Sequence, residues 1–446
     1  MSTSPMDIDR LIAADTTSSA GTPASGIPKS TEYRKDKVPA ELWNDWRWQL
    51  KNRLTTAEQL RTIFPLTEEE EAAFKAPDMF PVAVTPYFAS LIDGSDPRDP
   101  IRLEILPRIQ ETKHNVEDIE DSLGEDSHMP VPGLVHRYPD RVLMLVSMTC
   151  GSYCRFCTRN RVVGTKHYNL GEPLSEYYLH QIEYIKSHPE VRDVLLSGGD
   201  PLLLPIKTLD WILTELRKIE TVEIIRIGSR VPIFIPQRVT PELCDMLKKH
   251  HPLWLNTHVN HPNELTPDSS AALARLADAG IPLGCQTVLL AGVNDCPNIM
   301  LALVRKLVRN RVRPYYIYQC DLVIGAAHFR TPVAKIYEVM EALRGHTSGL
   351  CVPTAVIDSP FGGGKVPVMP NYVLSMSETK TVVRNFEGYV STYTGPEKYA
   401  GHNKSECKYC KEMEKKVDRQ TGVAGLIAGK ERTIKPEGWD NAHVRK

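Results

Sequence analysis

The chain has 446 residues, 41% of them hydrophobic and 24% charged, with 54 Lys and Arg against 55 Asp and Glu. That near-neutral balance gives no electrostatic basis for binding nucleic acid or an anionic membrane surface, and no apolar run reaches the ~18 residues a membrane span needs. The N-terminus lacks the basic start and apolar core of a secretory signal, so the ten cysteines read as reduced thiols, some of them metal ligands, in a cytoplasmic protein.

Residues 1–38 are rich in Ser, Thr, Ala, Gly and Pro and read as a mobile arm. From Pro39 the pattern turns helical. "ELWNDWRWQLKNRL" spaces Leu42, Trp46, Leu50 and Leu54 four apart, which predicts one continuous helix with a single apolar face. "TEEEEAAFKA" predicts a second, with Thr67 as N-cap and acids in its first turn. Residues 39–135 therefore form an N-terminal helical region.

The centre, residues 136–350, carries the architectural signal. Apolar runs recur at 142–148, 191–199, 222–230, 253–260, 282–290 and 314–321, and amphipathic segments such as "LDWILTELRKI" and "NIMLALVRKLVRN" lie between them. Each run reads as a strand buried on both faces. Six strand–helix units in series imply parallel strands joined by right-handed crossovers, in a doubly wound sheet or a barrel. Polar residues crowd the C-terminal strand ends: Cys150 to Cys157, Ser197 to Asp200, Ser229-Arg230, His258, Asn260, His261, Gln286 and Asp321. In barrels that rim is where the site is built, so an α/β fold with a partial (β/α)6 barrel is expected. Residues 351–446 form a C-terminal extension: strand-like pieces surround the Gly-rich loop "FGGGK", and a polar tail follows with "CKYC".

"TCGSYCRFCTRNR" places Cys150, Cys154 and Cys157 within eight residues. Three thiolates at this spacing can hold three irons of a [4Fe–4S] cluster and leave the fourth iron open; zinc with a fourth ligand from elsewhere satisfies the spacing equally. Lys365 ends a Gly-rich stretch, but Walker spacing fails, and Val366 stands where a hydroxyl would bind Mg2+. A solvated lysine on a surface loop is the plainer reading of that stretch. "HRYPDR" by itself is a surface charge cluster.

In their order, "SGGDPL", "NTHVNHPNELT", "QTVLLAGVNDC", "YQCDL", "HFRTP" and "IDSPFGGGK" resemble lysine 2,3-aminomutase, within the radical S-adenosylmethionine superfamily suggested by the cysteine loop. The likeness runs over residues 44–388, about 345 of the 446. It implies a partial (β/α)6 barrel with N- and C-terminal extensions, a [4Fe–4S] cluster on Cys150, Cys154 and Cys157, and S-adenosylmethionine on the open iron. Pyridoxal phosphate is implied as second cofactor, carried by Lys365, with Arg137, Tyr138 and Arg141 at its phosphate. Ser197, Gly198, Gly199 and Asp200 match the superfamily's glycine-rich motif near the methionine amino group, and His258 and Gln286 match positions facing the nucleoside. Arg159 is implied as partner of the substrate α-carboxylate, and Asp321 and Asp358 as partners of its distal ammonium. Two carboxylates converging in a closed site are costly without a cation, which argues against an acidic substrate.

The resemblance also implies zinc held by Cys407, Cys410 and Cys296, with His402 as a further candidate ligand. It implies a homodimer or dimer of dimers, and an external electron donor such as flavodoxin or ferredoxin. The expected reaction converts L-lysine to β-lysine, with S-adenosylmethionine regenerated in each cycle. An arginine 2,3-aminomutase is the alternative, because the acid pair accepts a guanidinium equally. A supplier of β-lysine to a translation factor and a non-enzymatic zinc-binding module are further readings. Three residues depart from the family pattern: Phe156 where relatives often carry His, Asn160 within an arginine run, and Phe361 in place of the first Gly of a longer glycine run.

Overall fold

The computed structural model describes residues 33–164, 174–398, 401–403 and 405–414; most of the expected N-terminal arm lies outside them. The chain divides into two units, Met1–Pro370 and Asn371–Lys446.

The first unit is built on a nine-stranded sheet: β1 (Leu134–Tyr138), β2 (Arg141–Ser147), β3 (Asp193–Gly198), β4 (Ile224–Gly228), β5 (Leu253–His258), β6 (Leu283–Leu289), β7 (Val312–Gln319), β8 (Thr354–Ser359) and β9 (Gly364–Pro367), paired in chain order. β2 to β8 run parallel, while β1 and β9 are antiparallel margins. Among the described residues no pairing joins β9 to β1, so the barrel is partial, as expected. The apolar runs locate β2 to β7 closely, but the strands are not sealed on both faces. Val194 and Leu196 of β3 are buried against the helical layer, whereas Leu195 and Ser197 line a central cavity. The same alternation holds in β4, where Ile225 and Ile227 face out and Arg226 and Gly228 face in.

Helices follow the strands with one apolar stripe each. In Ile206–Arg217 the residues Leu209, Ile212, Leu213 and Leu216 are fully buried, each contributing about 1.5–3 kcal/mol relative to exposure. Thr240 and Thr266 cap the helices Pro241–Lys248 and Pro267–Asp278 by accepting backbone N–H bonds, with Pro at the first helical position.

The N-terminal region covers the cavity's cysteine side. Its first expected helix is two: Ala40–Trp43 and Trp46–Lys51. Asp45 causes the break, because its carboxylate accepts from Arg47 N and starts a new helix. Thr67 caps Glu68–Lys75 in a capping box with Glu70, as the sequence predicts. The second unit contains a three-stranded antiparallel sheet, β10 (Val373–Met376), β11 (Lys380–Arg384) and β12 (Val390–Thr394), and the helix Lys408–Glu414. Among the described residues no helix is long and apolar enough to cross a membrane.

Candidate active site

β2 runs out at Ser147 into the loop that carries the three cysteines. Gly198 and Gly199, at the end of β3, press against it. A Cβ on Gly199 would stand 2.5 Å from the Thr149 backbone, and Gly198 holds φ +123, so both positions require glycine. Asp200 N donates to Thr149 O at 2.8 Å and locks the two loops together.

Arg155, between the second and third cysteines, is fully buried. Its Nε donates to both oxygens of Glu111 at 3.0 and 3.1 Å, and its Nη atoms donate to the Pro81 and Phe80 carbonyls at 3.0 Å. Arg53 Nη1 donates to Cys150 O at 2.7 Å. The cysteines are thus held from the N-terminal region as well as from the barrel. Burial, reinforced by Cys154, pushes the Cys157 thiol up to about 12, and burial also lifts Cys150 and Cys154. Three thiolates persist here only with a cationic partner. The donor set, three cysteine thiols on one loop, fits an iron–sulfur cube that leaves one iron open.

A cavity of about 680 Å3 runs down the barrel from this loop. Cys154, Cys157, Arg159, Ser197, His258, Gln286, Asp321, Asp358 and Lys365 line it, with Arg137, Tyr138 and Arg141 on its β1–β2 side. Gly198, Gly199 and Asp200 do not: the glycines back the cysteine loop, and Asp200 accepts from Ser229 Oγ at 2.7 Å and from the N–H groups of Arg230 and Val231 at 2.7 and 3.0 Å. They act on the rim from behind.

Arg159 is held by Glu125, a residue no local motif marks. Its Nη2 donates to Glu125 Oε1 at 2.6 Å, its Nε donates to both oxygens at 3.0 and 2.9 Å, and Nη1 reaches Ser197 Oγ at 3.2 Å. Asn160 Nδ2 donates to Ile324 O at 3.0 Å. Phe156 packs with Phe329 and stands 5.5 Å from the His258 ring. Asn260 fixes the tautomer of His258. Its Nδ2 donates to Glu104 at 2.9 Å and its Oδ1 accepts from Val288 N at 2.9 Å, so His258 Nε2, 2.9 Å from that Oδ1, carries the proton and Nδ1 is the acceptor. Burial, with Arg230 nearby, pushes His258 down to about 3, so it is neutral.

Opposite the cysteines, β8 and β9 form a hairpin in which Asp358 and Lys365 are directly paired. Lys365 Nζ lies 3.1 and 3.3 Å from the two Asp358 oxygens and 5.4 Å from the centre of the Tyr318 ring. Burial and the Asp358 charge raise Asp321 to about 7. Tyr318, not singled out by any sequence motif, completes the wall with its hydroxyl held well above its ordinary range by burial. Lys365 N donates to Tyr138 Oη at 3.2 Å, and Arg141 stacks over the Tyr138 ring at 4.0 Å. Arg137 Nε is buried with no hydrogen-bond partner among the described residues, and Gly362, at φ +78, leaves the space beside it. An unsatisfied buried cationic donor next to a second arginine and a lysine fits a phosphorylated aldehyde such as pyridoxal phosphate. Phe361 is exposed and sits at φ +59, the left-handed region glycine adopts freely.

In the second unit His402, Cys407 and Cys410 bring their ligating atoms within 4.8 Å of one another, with His402 Nε2 3.2 Å from Cys410 Sγ. A hydrogen bond from the Cys410 backbone lowers the Cys407 thiol. Cys296 is the N-cap residue of Pro297–Arg309 in the first unit and is not part of this group.

Residues 340–446 match the family model described as lysine-2,3-aminomutase, and residues 144–304 match that of the radical SAM superfamily. The chain is 54% identical over 424 residues to the L-lysine 2,3-aminomutase of Clostridium subterminale, covering 94% of this chain and 100% of that one. It is 54% identical over 411 residues to the L-lysine 2,3-aminomutase of Acetoanaerobium sticklandii, covering 91% and 98%. A glutamate 2,3-aminomutase of Clostridioides difficile is 41% identical over 374 residues, covering 82% and 88%.

Proposed function

The chain belongs to the lysine 2,3-aminomutase family of radical S-adenosylmethionine enzymes, and from that premise we propose how its cavity selects and holds its substrate. The protein is an isomerase that moves an amino group between C2 and C3 of L-lysine, giving β-lysine (3,6-diaminohexanoate). A hydrogen moves the opposite way, so substrate and product have the same composition.

Family membership alone does not fix the side chain accepted, since a glutamate 2,3-aminomutase is also a relative. The observation that carries lysine is the acid pair. Asp321 and Asp358 line one wall, where burial and then the Asp358 charge hold Asp321 near 7, and a cation between them offsets that penalty. A substrate carboxylate there would raise it. Arg159 is the proposed seat of the α-carboxylate, with Glu125 and Ser197 fixing its plane. Lysine would then lie stretched between Arg159 and the acids, with C2 and C3 in the middle of the cavity.

A [4Fe–4S] cluster on Cys150, Cys154 and Cys157 with S-adenosylmethionine on its open iron supplies a 5′-deoxyadenosyl radical when loaded. Pyridoxal phosphate on Lys365 supplies an imine-forming aldehyde and a ring over which an unpaired electron spreads. Arg137, Tyr138 and Arg141 hold its phosphate in this reading, and neutral His258 and Gln286 face the nucleoside. Zinc on Cys407, Cys410 and Cys296, with His402 as the further candidate ligand, belongs to the same proposal. So do an assembly of dimers and an external flavodoxin or ferredoxin as electron donor.

The test is product analysis. Reduced, reconstituted protein incubated separately with lysine, arginine and glutamate is expected to yield β-lysine and no β-glutamate. A preference for β-arginine overturns the choice of lysine, and no β-amino acid from fully loaded protein overturns the reading of the cavity.

A further inference from the structure

Arg230 follows β4 at the cavity rim and is 7% exposed. It reaches one of the three cysteines. Its Nη1 donates to Cys154 Sγ at 2.8 Å, while Nη2 donates to Glu104 Oε2 at 2.6 Å and Glu264 Oε2 at 2.7 Å. Phe234 covers its guanidinium face at 4.4 Å, and Phe156 lies 5.9 Å away. Both carboxylates are fully buried. Asn260 donates to Glu104 at 2.9 Å, and the Asn260 and His261 backbones donate to Glu264 Oε1 at 2.6 and 2.7 Å. The guanidinium therefore has one orientation, aimed at one sulfur. Among the described hydrogen bonds, Cys150 and Cys157 have no charged side-chain donor on sulfur; Arg53 donates to the Cys150 carbonyl instead.

We infer that Arg230 tunes the reduction potential of the cluster through its hydrogen bond to Cys154. The inference rests on reading Cys150, Cys154 and Cys157 as cluster ligands, which iron analysis checks separately. The redox step is simple: one electron from an external low-potential donor of the flavodoxin or ferredoxin class takes the cluster from the 2+ to the 1+ state, with no bond made or broken. The added electron increases negative charge on the sulfurs. A donated N–H bond and an adjacent fixed cation stabilise that charge, and so raise the potential. Glu104 and Glu264 orient the guanidinium and offset part of its field. Removing Arg230 takes away the donor and also leaves the carboxylates uncompensated; both changes disfavour the reduced form. Phe156 and Phe234 keep solvent from replacing the lost hydrogen bond.

The experiment is an EPR-monitored reductive titration of anaerobically reconstituted full-length protein without S-adenosylmethionine, with iron per chain measured on the same sample. Arg230→Gln with full iron is expected to need a lower potential for half-reduction. The reduced-to-oxidised ratio at fixed potential should fall about tenfold, equivalent to about 59 mV for one electron. Arg230→Lys keeps the charge on the carboxylates but falls short of the sulfur, and should shift the same way by less. It carries the test if Arg230→Gln takes up no iron. A midpoint unchanged in an iron-replete variant overturns the inference, as does a shift to higher potential. Loss of iron in wild type as well would overturn the cluster reading itself.

Discussion

The cysteine loop and the lysine hairpin border one cavity and are built on opposite terms. In the loop, Arg155 is buried against Glu111, Phe80 and Pro81, and two glycines fit under the chain with no space to spare. In the hairpin, Lys365 is exposed and, among the described residues, its ammonium is held by one acid, Asp358. A group that passes electrons gains from a fixed frame, because its potential depends on hydrogen bonds that must not wander. A lysine that exchanges partners needs a short, open hairpin and a single ion pair to give up. The same molecule thus concentrates rigidity where charge moves and leaves freedom where atoms move.

That contrast can be broken in three places. Lys365→Ala should abolish turnover to the detection limit and remove cofactor absorbance, while leaving iron content unchanged and stability within about 0.5 kcal/mol, as for other exposed positions; parallel iron assay and urea unfolding check this. Glu111→Ala should do the reverse. It strands a buried guanidinium, so stability should fall by about 3–5 kcal/mol, with iron retention falling in step.

The third, and smallest, effect concerns charge on the hairpin side. Asp321 is raised from 3.8 to about 7, so the folded chain holds a proton that the unfolded chain releases. The resulting penalty is nearly absent at pH 4, grows as pH rises towards 7, and is constant above. In the ligand-free protein Asp321→Asn should therefore be more stable than wild type by on the order of 2–4 kcal/mol at pH 8, with the advantage shrinking as pH falls. Urea unfolding across that range measures it. Saturating lysine should narrow the gap by stabilising wild type, and an advantage independent of pH would count against a charge origin.

The sequence made the strands legible because each combines a short apolar run with a regular return distance, and that period reflects the strand–helix repeat itself. Single-face helix reading failed at Asp45, where one side chain's hydrogen bond outcompetes four-residue spacing. β1, β8 and β9 fall outside the repeat, so their membership of the barrel sheet was hidden. Within the site, cysteine spacing and the Gly-rich stretches are local patterns and stand out. Glu104, Glu111 and Glu125 do not: they come from the N-terminal region and meet Arg230, Arg155 and Arg159 across 126, 44 and 34 positions of sequence. No short window holds both partners. Arg230 itself was visible as a rim residue after β4, but its aim at one sulfur is a property of three dimensions.

Asp358 and Lys365 are seven positions apart and the hairpin brings them face to face, so an amino-acid side chain identical to the substrate's already rests on one of the acids proposed to hold it. Once Lys365 carries the proposed aldehyde cofactor, its amine is no longer a cation beside Asp358, and the substrate's distal ammonium takes that place. Such a wall is poorly suited to a ligand that carries any other charge, and its selectivity is written in the lysine it already holds.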